Sequence, residues 1–248
     1  MEEKVEEKKE EKVENEEIEE KTKEAEEIVE VGEVKKEEVW IPKTRLGKEV
    51  LEGKIKSIDE IFERGERILE HEIIDMLLPD LKVEYVLIGG RVGKGGGQQR
   101  IPIRITAKIT KSGRRFHYSA FAIVGNEDGY IGIGKGRSNE PRLAMEKAVN
   151  RAKLNIIKIL RGCGSWECKC NEEHSIPYKV EGKSGSVRVI LMPAPKGVGL
   201  VCSEEMKKIL KLAGIKDIWV KTFGNSQMYS NLITACFNAL RKLYVYKR

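Results

Sequence analysis

TKSGRRFHYSAFAIVGNEDGYIGIGKGRSNEPRLAMEKAVNRAK, Thr110 to Lys153, changes its structural signal partway along, and that change decides the fold. TKSG at Thr110–Gly113 reads as a tight turn, Phe116–Val124 as a strand, and GNEDG at Gly125–Gly129 as the turn that ends it. The glycines of GYIGIGKG follow. After them Ser138 or Asn139 can cap a helix whose early Pro141 needs no amide hydrogen. Leu143, Ala144, Ala148, Ala152, Ile156 and Ile159 supply its expected buried stripe.

Upstream, Val83, Tyr85 and Leu87 alternate and a glycine-rich loop follows. Ile101, Ile103, Ile105, Ala107 and Ile109 then alternate against Pro102, Arg104, Thr106 and Lys108. One face of that strand is expected to be apolar and the other basic or polar. Two short helices come earlier, one begun at Ser57 with Asp59 and Glu60 in its first turn, the other at His71–Leu78 and stopped by Pro79. Trp40–Gly53 reads as an irregular basic segment broken by Pro42, Gly47 and Gly53. Downstream come strands at Tyr178–Glu181 and Ser186–Met192, a helix begun at Ser203 and stopped at Gly214, a strand at Lys216–Thr222, and a last helix near Ser230–Leu243. The expected class is α+β. It comprises an acidic tail (1–38), a basic extension with a short helix (39–72), an α-β-β-β-α domain (73–160), a Cys-rich connector (161–177) and a carboxy-terminal α/β domain (178–248).

Residues 1–38 hold 18 Glu and 8 Lys, a net −10 in a 248-residue chain whose formal total is +6, so the other 210 residues carry +16. That asymmetry points to a polyanion partner. The acidic stretch has few apolar anchors and is expected to be disordered, either a solubilising tail or a mask over the basic body before assembly. No signal peptide is legible and no run approaches the roughly 18 apolar residues of a membrane span, so a soluble cytoplasmic protein without a membrane partner is expected. In that reducing setting the five cysteines point to metal chemistry or core thiols rather than disulfides.

Four constellations could carry chemistry. GGRVGKGGGQQR, Gly89–Arg100, sets Arg91, Lys94 and Arg100 among six glycines, a loop able to order against phosphates; the alternative is a flexible hairpin connection. In KSGRR the cations Lys111, Arg114 and Arg115 sit beside Phe116, His117 and Tyr118, which suits phosphate contact and base stacking, or else an exposed turn with core aromatics. Gly129–Lys135 has the spacing of a nucleotide phosphate loop, but Gly136 stands where Ser or Thr must hold magnesium. The better expectation is that the glycines bring the helix amino terminus to an RNA phosphate, with Lys135 and Arg137 adding charge. Lys147 and Arg151 lie four apart on the outer side of that helix. Cys163, Cys168, Cys170 and His174, in RGCGSWECKCNEEHS, supply three thiolates and one imidazole and suit a structural zinc ion. Their spacing departs from the common knuckle, so free thiols remain the alternative. Cys163 and His174 as nucleophile and base lack an orienting third group.

Thr110–Lys153 closely resembles the small-subunit ribosomal protein five family, whose eukaryotic member is small-subunit protein two: a Gly-Arg-Arg-Phe turn, a strand ending in Val-Gly-Asn, a glycine-rich stretch, then a helix. EGKSGSVRVILMPAPKGVGLV, LKLAGIKDIWVKTFGN and NLITACFNALRKL are similar to the same family, so the resemblance runs from about Trp40 to Tyr246. WIPKTRLGKEVLEGKIKSIDEIF is similar to the extension of archaeal and eukaryotic members, which suggests an archaeal protein. Eukaryotic members lack the full cysteine cluster, so the zinc expectation rests on residue chemistry. The resemblance implies a double-stranded-RNA-binding-like first domain and a second domain with a left-handed β-α-β unit. It also implies small-subunit rRNA as partner near the neck, contacts with small-subunit proteins four and eight, messenger RNA nearby, and an influence on decoding accuracy. By the same resemblance the Lys111–Arg115 turn faces rRNA and Pro193–Gly197 forms a loop of the second domain.

Three readings compete: a structural ribosomal protein, an RNA-modifying or NTP-driven enzyme, and a free regulatory binder of duplex RNA. Neither the phosphate-loop near-match nor the cysteine cluster completes a catalytic constellation, and a free binder leaves the second domain and the basic extension unexplained. The expectation is therefore a non-enzymatic ribonucleoprotein component.

Overall fold

The computed structural model describes residues 40–92, 97–170 and 172–245. The acidic tail and Lys94 lie outside the described residues. Pro42–Arg248 forms one compact unit.

The unit is built on β5 (Gly113–Gly125), the longest strand. Its two faces alternate: Ala120, Ala122 and Val124 belong to one packing cluster, Phe121 and Ile123 to another. A strand buried on both sides needs an apolar residue at nearly every position, which SAFAIV supplies. One edge of β5 is shared. β1 (Lys82–Tyr85) pairs with its end, Ala122–Gly125, and β4 (Ile103–Thr110) with its beginning, Gly113–Ala120, both antiparallel. The other edge takes β6 (Tyr130–Ser138), which in turn pairs with the short β7 (Ile157–Lys158). β2 (Gly89–Val92) and β3 (Gln98–Ile101) form a separate antiparallel pair at the glycine-rich segment.

GYIGIGKG is a strand rather than a loop. Gly132, Gly134 and Gly136 alternate with Ile131, Ile133 and Lys135, so all three glycines share one face of β6. Against that face lies α4 (Pro141–Leu154), whose Ala144, Ala148 and Ala152 are spaced one turn apart and fully buried. A β-carbon on Gly132, Gly134 or Gly136 would stand 2.2, 2.2 or 2.0 Å from the carbonyl oxygen of Ala152, Ala148 or Ala144 respectively. The glycines therefore bring the side of the helix onto the sheet, not its amino terminus to a phosphate. Ser138 is still in the strand, and the residue before the helix is Glu140, with Pro141 at the first turn as expected. Leu143, read as part of the buried stripe, is exposed.

The alternation along β4 is real but does not mark a core. Ile105 and Ile109 are 55% and 84% exposed and Phe116 is 45% exposed, because the β4–β5 hairpin runs past the cluster beneath α4, which ends at Ala120 and the partly buried Tyr118. One side of the hairpin is thus an uncovered apolar surface and the other is polar and basic.

The second sheet has the order β10-β11-β9-β8. β8 (Val180–Ser184), β9 (Val187–Pro193) and β11 (Ile218–Phe223) pair antiparallel, while β10 (Leu200–Val201) runs parallel to β11. α5 (Glu204–Leu212) joins the two parallel strands, and α6 (Tyr229–Val245) packs across β8 and β9. One apolar core runs through both halves, from Phe121, Ile123, Ile131 and Ile133 to Leu191, Met206, Leu210 and Leu240. Buried Glu205 seals the seam: it accepts the Leu87 amide at 3.1 Å and pairs with Lys208 at 3.0 Å, while Lys208 donates to the Tyr85 carbonyl. Each buried charge is thereby compensated.

Among the described residues, three short helices precede the sheet. α1 (Arg45–Leu51) occupies the stretch read as irregular: Thr44 caps it by accepting the Gly47 amide at 3.1 Å, and Gly47 sits buried inside it. α2 (Ile58–Arg64) follows Ser57 as expected, and α3 (Glu72–Leu77) ends just before Pro79. Asp59 ties α2 to the sheet, accepting from Tyr130 Oη at 2.6 Å and Lys158 Nζ at 2.7 Å.

Candidate nucleic-acid interface and metal centre

On β6 the residues that alternate with the glycines point away from α4, so Lys135 and Arg137 project from the opposite side of the sheet. Register places Arg137 beside Ser119 on β5, and Ser119 beside Arg104 on β4. Directly opposed strand residues share a face. These side chains, with Arg100 from β3, Ile88 and Thr106, meet Gln227, Met228, Tyr229 and Ser230 at the start of α6 around a cavity of about 560 Å³. Arg100 stacks on the Tyr229 ring with its guanidinium carbon 4.9 Å from the centroid. The amino terminus of the 17-residue α6 adds the positive end of its dipole.

Charge pairing covers only part of the basic surface. Arg45, Arg64, Lys82, Lys153, Lys158, Arg161, Arg188, Lys196 and Lys208 each sit within 4 Å of a carboxylate. Among the described residues, Arg100, Arg104, Lys135 and Arg137 have no such partner, as is also true of exposed Arg91, Lys108, Arg142, Lys147 and Lys221; what distinguishes the four is that they line one concavity. Four exposed cations without counter-charges around one concavity make an anion-binding surface, and their spread over several strands suits a polymer of phosphates.

Of the ten cations singled out from sequence, Arg100, Lys135 and Arg137 converge on the groove. Lys111, Arg114 and Arg115 sit at the exposed tip of the β4–β5 hairpin, where Arg114 lies 5.1 Å from the Phe116 centroid and Arg115 donates to Ser112 Oγ at 3.3 Å. Arg91 is exposed on β2 opposite Gln99. Lys147 and Arg151 are on α4, across the sheet from the groove, where Arg151 donates to the Lys135 carbonyl at 2.6 Å. Arg104 and Tyr229 were missed. Arg104 shows in sequence only as one polar position of an alternating strand, and Tyr229 comes from more than a hundred residues away.

Cys163, Cys168, Cys170 and His174 bring their ligand atoms within 4.8 Å of one another. A tetrahedral zinc ion with Zn–S bonds of about 2.3 Å sets its sulfurs about 3.8 Å apart, so one ion fits after small shifts that part the closest thiols and draw in the more distant ligand atoms. The isolated bridge between Gly162 and Ser175 closes the loop bearing these residues. Cys168 Sγ lies 2.9 Å from Cys170 Sγ and 3.7 Å from His174 Nε2. Contact with the Cys170 thiol, helped by the Lys196 and Cys170 amides, pulls the Cys168 thiol down to about 6, and the same contact pushes Cys170 up to about 11. Of the two, Cys168 is the thiol that ionises more readily. Cys202 and Cys236 stand apart, their thiols pushed up by burial.

The family model described as Ribosomal protein S5, N-terminal domain matches residues 98–160, and that described as Ribosomal protein S5, C-terminal domain matches residues 182–248. The protein named Small ribosomal subunit protein uS5 of Nanoarchaeum equitans is 55% identical over 83% of this chain and 88% of its own length. The chain belongs to the ribosomal protein S5 family. Proteins of the same name from Staphylothermus marinus and Thermofilum pendens are 49% and 51% identical, over 84% and 83% of this chain and 90% and 94% of theirs. These relatives are archaeal. The S5 family is structural and non-enzymatic, which sets aside the phosphate-loop and thiol-enzyme readings. The S5 N-terminal match holds Arg100, Arg104, Lys135 and Arg137, the C-terminal match holds Tyr229, and the cysteine cluster falls between the two. Among the described residues no helix is long and apolar enough to cross a membrane.

Proposed function

We propose that this chain is an archaeal, cytoplasmic structural constituent of the small ribosomal subunit, and that it binds small-subunit rRNA through the Arg100–Arg104–Lys135–Arg137 groove and the Lys111–Arg115 hairpin tip. The observation that carries the proposal is the convergence of four exposed cations and the Tyr229 ring on one groove. In the hairpin the basic tip reaches phosphates, and half-exposed Phe116, with Arg114 over its ring, offers a surface for stacking. Arg91, exposed on β2, is a further RNA contact in this reading, as is Lys94 by its place in the glycine-rich sequence, and Lys147 and Arg151 form a second contact across the sheet. The names of the archaeal relatives support a seat in the small subunit. The finer placement belongs to the same proposal: near the neck, beside small-subunit proteins four and eight and the path by which messenger RNA enters, with an influence on decoding accuracy.

We assign 73–160 to a double-stranded-RNA-binding-like domain, supported by the antiparallel β4–β5–β6 run followed by α4 across one face. We assign 178–248 to the second domain, where α5 between parallel β10 and β11 supports the β-α-β unit. The cysteine cluster is assigned to one structural zinc ion, supported by its donor set and closeness. Footprinting the full chain on naked small-subunit rRNA tests the function. A few unique protected segments are expected, with affinity falling steeply as salt rises. Protection no different from that of an unrelated RNA duplex would overturn it.

A further inference from the structure

Asp217 is a buried acid, 5% exposed, that the RNA-binding surface does not use. It lies between α5 and β11, and each of its oxygens does a different job. Oδ2 is 2.9 Å from His174 Nδ1. Oδ1 accepts the backbone amides of Gly197 at 3.0 Å and Gly199 at 2.8 Å. The contact is reciprocal along the backbone, since the Lys216 and Asp217 amides donate to the His174 carbonyl at 2.9 and 3.0 Å. One carboxylate thus joins the imidazole of the cysteine cluster to the loop Ala194–Gly199.

That loop has further ties to the cluster. Lys196 Nζ pairs with Glu172 at 2.7 Å, and the Ala194 amide donates to Ser175 Oγ at 3.3 Å. At its far end the Gly199 carbonyl accepts the Ile218 amide at 3.1 Å, where β10 begins to pair with β11. Gly197 and Gly199 have φ values of +95° and +74°, a left-handed path that other residues adopt with strain. A loop with two such residues and no regular ladder of its own depends on outside contacts for its order.

A carboxylate on His Nδ1 holds the proton there and leaves the Nε2 lone pair for a metal, which is the usual arrangement behind a metal-binding histidine. His174 Nε2 faces Cys168 Sγ. We propose that Asp217 is a positioning residue of the Cys163–Cys168–Cys170–His174 centre, and that through its second oxygen the centre acts as a clamp: a bound zinc ion holds the Ala194–Gly199 loop, and with it the start of β10, in place. The inference rests on the zinc assignment above. Metal occupancy then sets the order of a surface loop of the second sheet, beyond stabilising the connector alone.

The test uses the full chain. Zinc is first counted by elemental analysis, and hydrogen exchange is then followed by mass spectrometry before and after removal of zinc with a chelator. On stripping, exchange is expected to rise at least about tenfold in peptides covering 194–201 and to stay unchanged in those covering 141–154. Asp217→Asn keeps an oxygen for the two glycine amides but offers His174 Nδ1 an amide group in place of the carboxylate. It is expected to weaken zinc about 10- to 100-fold in a chelator competition and to alter the visible spectrum of the cobalt-substituted protein. The exchange comparison on the unaltered chain holds even if that variant folds poorly. Zinc present with loop exchange unchanged, or with the rise spread equally over 141–154, would overturn the clamp while leaving the zinc assignment standing. Undiminished zinc affinity in a folded Asp217→Asn variant would overturn the positioning role. A chain that binds no zinc would remove the assignment and the clamp together.

Discussion

Replacing Gly134 by alanine drives a methyl group into the backbone of α4. The added carbon would stand 2.2 Å from the Ala148 carbonyl oxygen, 2.3 Å from the Ala152 nitrogen and 2.8 Å from the Arg151 carbonyl carbon. Ordinary contact begins near 3.4 Å, so the helix would have to retreat by more than an ångström. It cannot pivot around the intrusion, because Gly132 and Gly136 hold it equally close one turn to either side. Retreat would open the seam between Ala120, Ala122 and Val124 on the sheet and Ala144, Ala148 and Ala152 on the helix. Overpacking a core costs about 1–3 kcal/mol, and a clash with backbone rather than a flexible side chain belongs at the upper end, about 3 kcal/mol. For a chain of this size each kcal/mol lowers Tm by roughly 2–4 °C, so the expected fall is about 6–12 °C in a thermal melt followed by circular dichroism. Ala148→Gly should not rescue it, since the obstructing atom is the carbonyl oxygen. Gly90→Ala is the control: nothing lies within 4 Å of its added carbon, and Tm should hold. A Gly134→Ala protein that melts like the parent but loses RNA affinity would refute the packing account and restore the glycines as a phosphate cradle.

Arg104→Ala with Arg137→Ala should weaken small-subunit rRNA binding and flatten the slope of log affinity against log salt by about 2, one per lost phosphate contact, with Tm unchanged; an unaltered slope would remove both from the interface. Arg114→Ala with Arg115→Ala should act in the same direction without unfolding, since both sit on an exposed hairpin tip; unchanged binding in a salt titration would exclude the tip. At Asp59, burial pushes the carboxyl up, but hydrogen bonds from Lys158 and Tyr130 outweigh it and hold the group below the ordinary aspartate value of 3.8. Its stabilisation is therefore complete above 3.8 and lost as pH falls through the lower folded value. With the side chain 39% exposed the effect is screened to under about 1 kcal/mol. Asp59→Asn should lower Tm slightly at neutral pH and shrink that difference in acid; a gap that widens on acidification would contradict the assignment.

β1, β4, β5 and α4 were legible because they carry strong periodicity and clear turns, but the strand order was not: β1 pairs with β5 rather than with β4, and β6 takes the other edge of β5. Legibility failed where one pattern serves two structures. Glycines at every second position of GYIGIGKG mark a strand pressed against a helix, but glycine has no side chain to report a buried face, so the stretch reads as a loop. The alternation of Ile103, Ile105, Ala107 and Ile109 is the converse: a regular apolar face that the fold leaves largely open, because alternation fixes a side and not what covers it. α1 was hidden by Gly47, which Thr44 caps within a helix. At the sites, distance along the chain set the limit. The four cluster residues lie within twelve positions and were read together, whereas Asp217 lies 43 residues from His174 and enters only through the fold. Arg104 was seen as a polar strand residue, but only the register that aligns it with Ser119 and Arg137 makes it part of a groove.

Crosslinking the native protein to RNA in cells, followed by sequencing of the attached RNA and mapping of the crosslinked peptides, tests the central claim most directly. Crosslinks confined to a few small-subunit rRNA segments, carried by peptides containing Arg100, Arg104, Lys135, Arg137 and the Lys111–Arg115 tip, are the predicted result. Crosslinks scattered over messengers and unrelated duplexes, or carried by peptides remote from the groove and the hairpin, would contradict it.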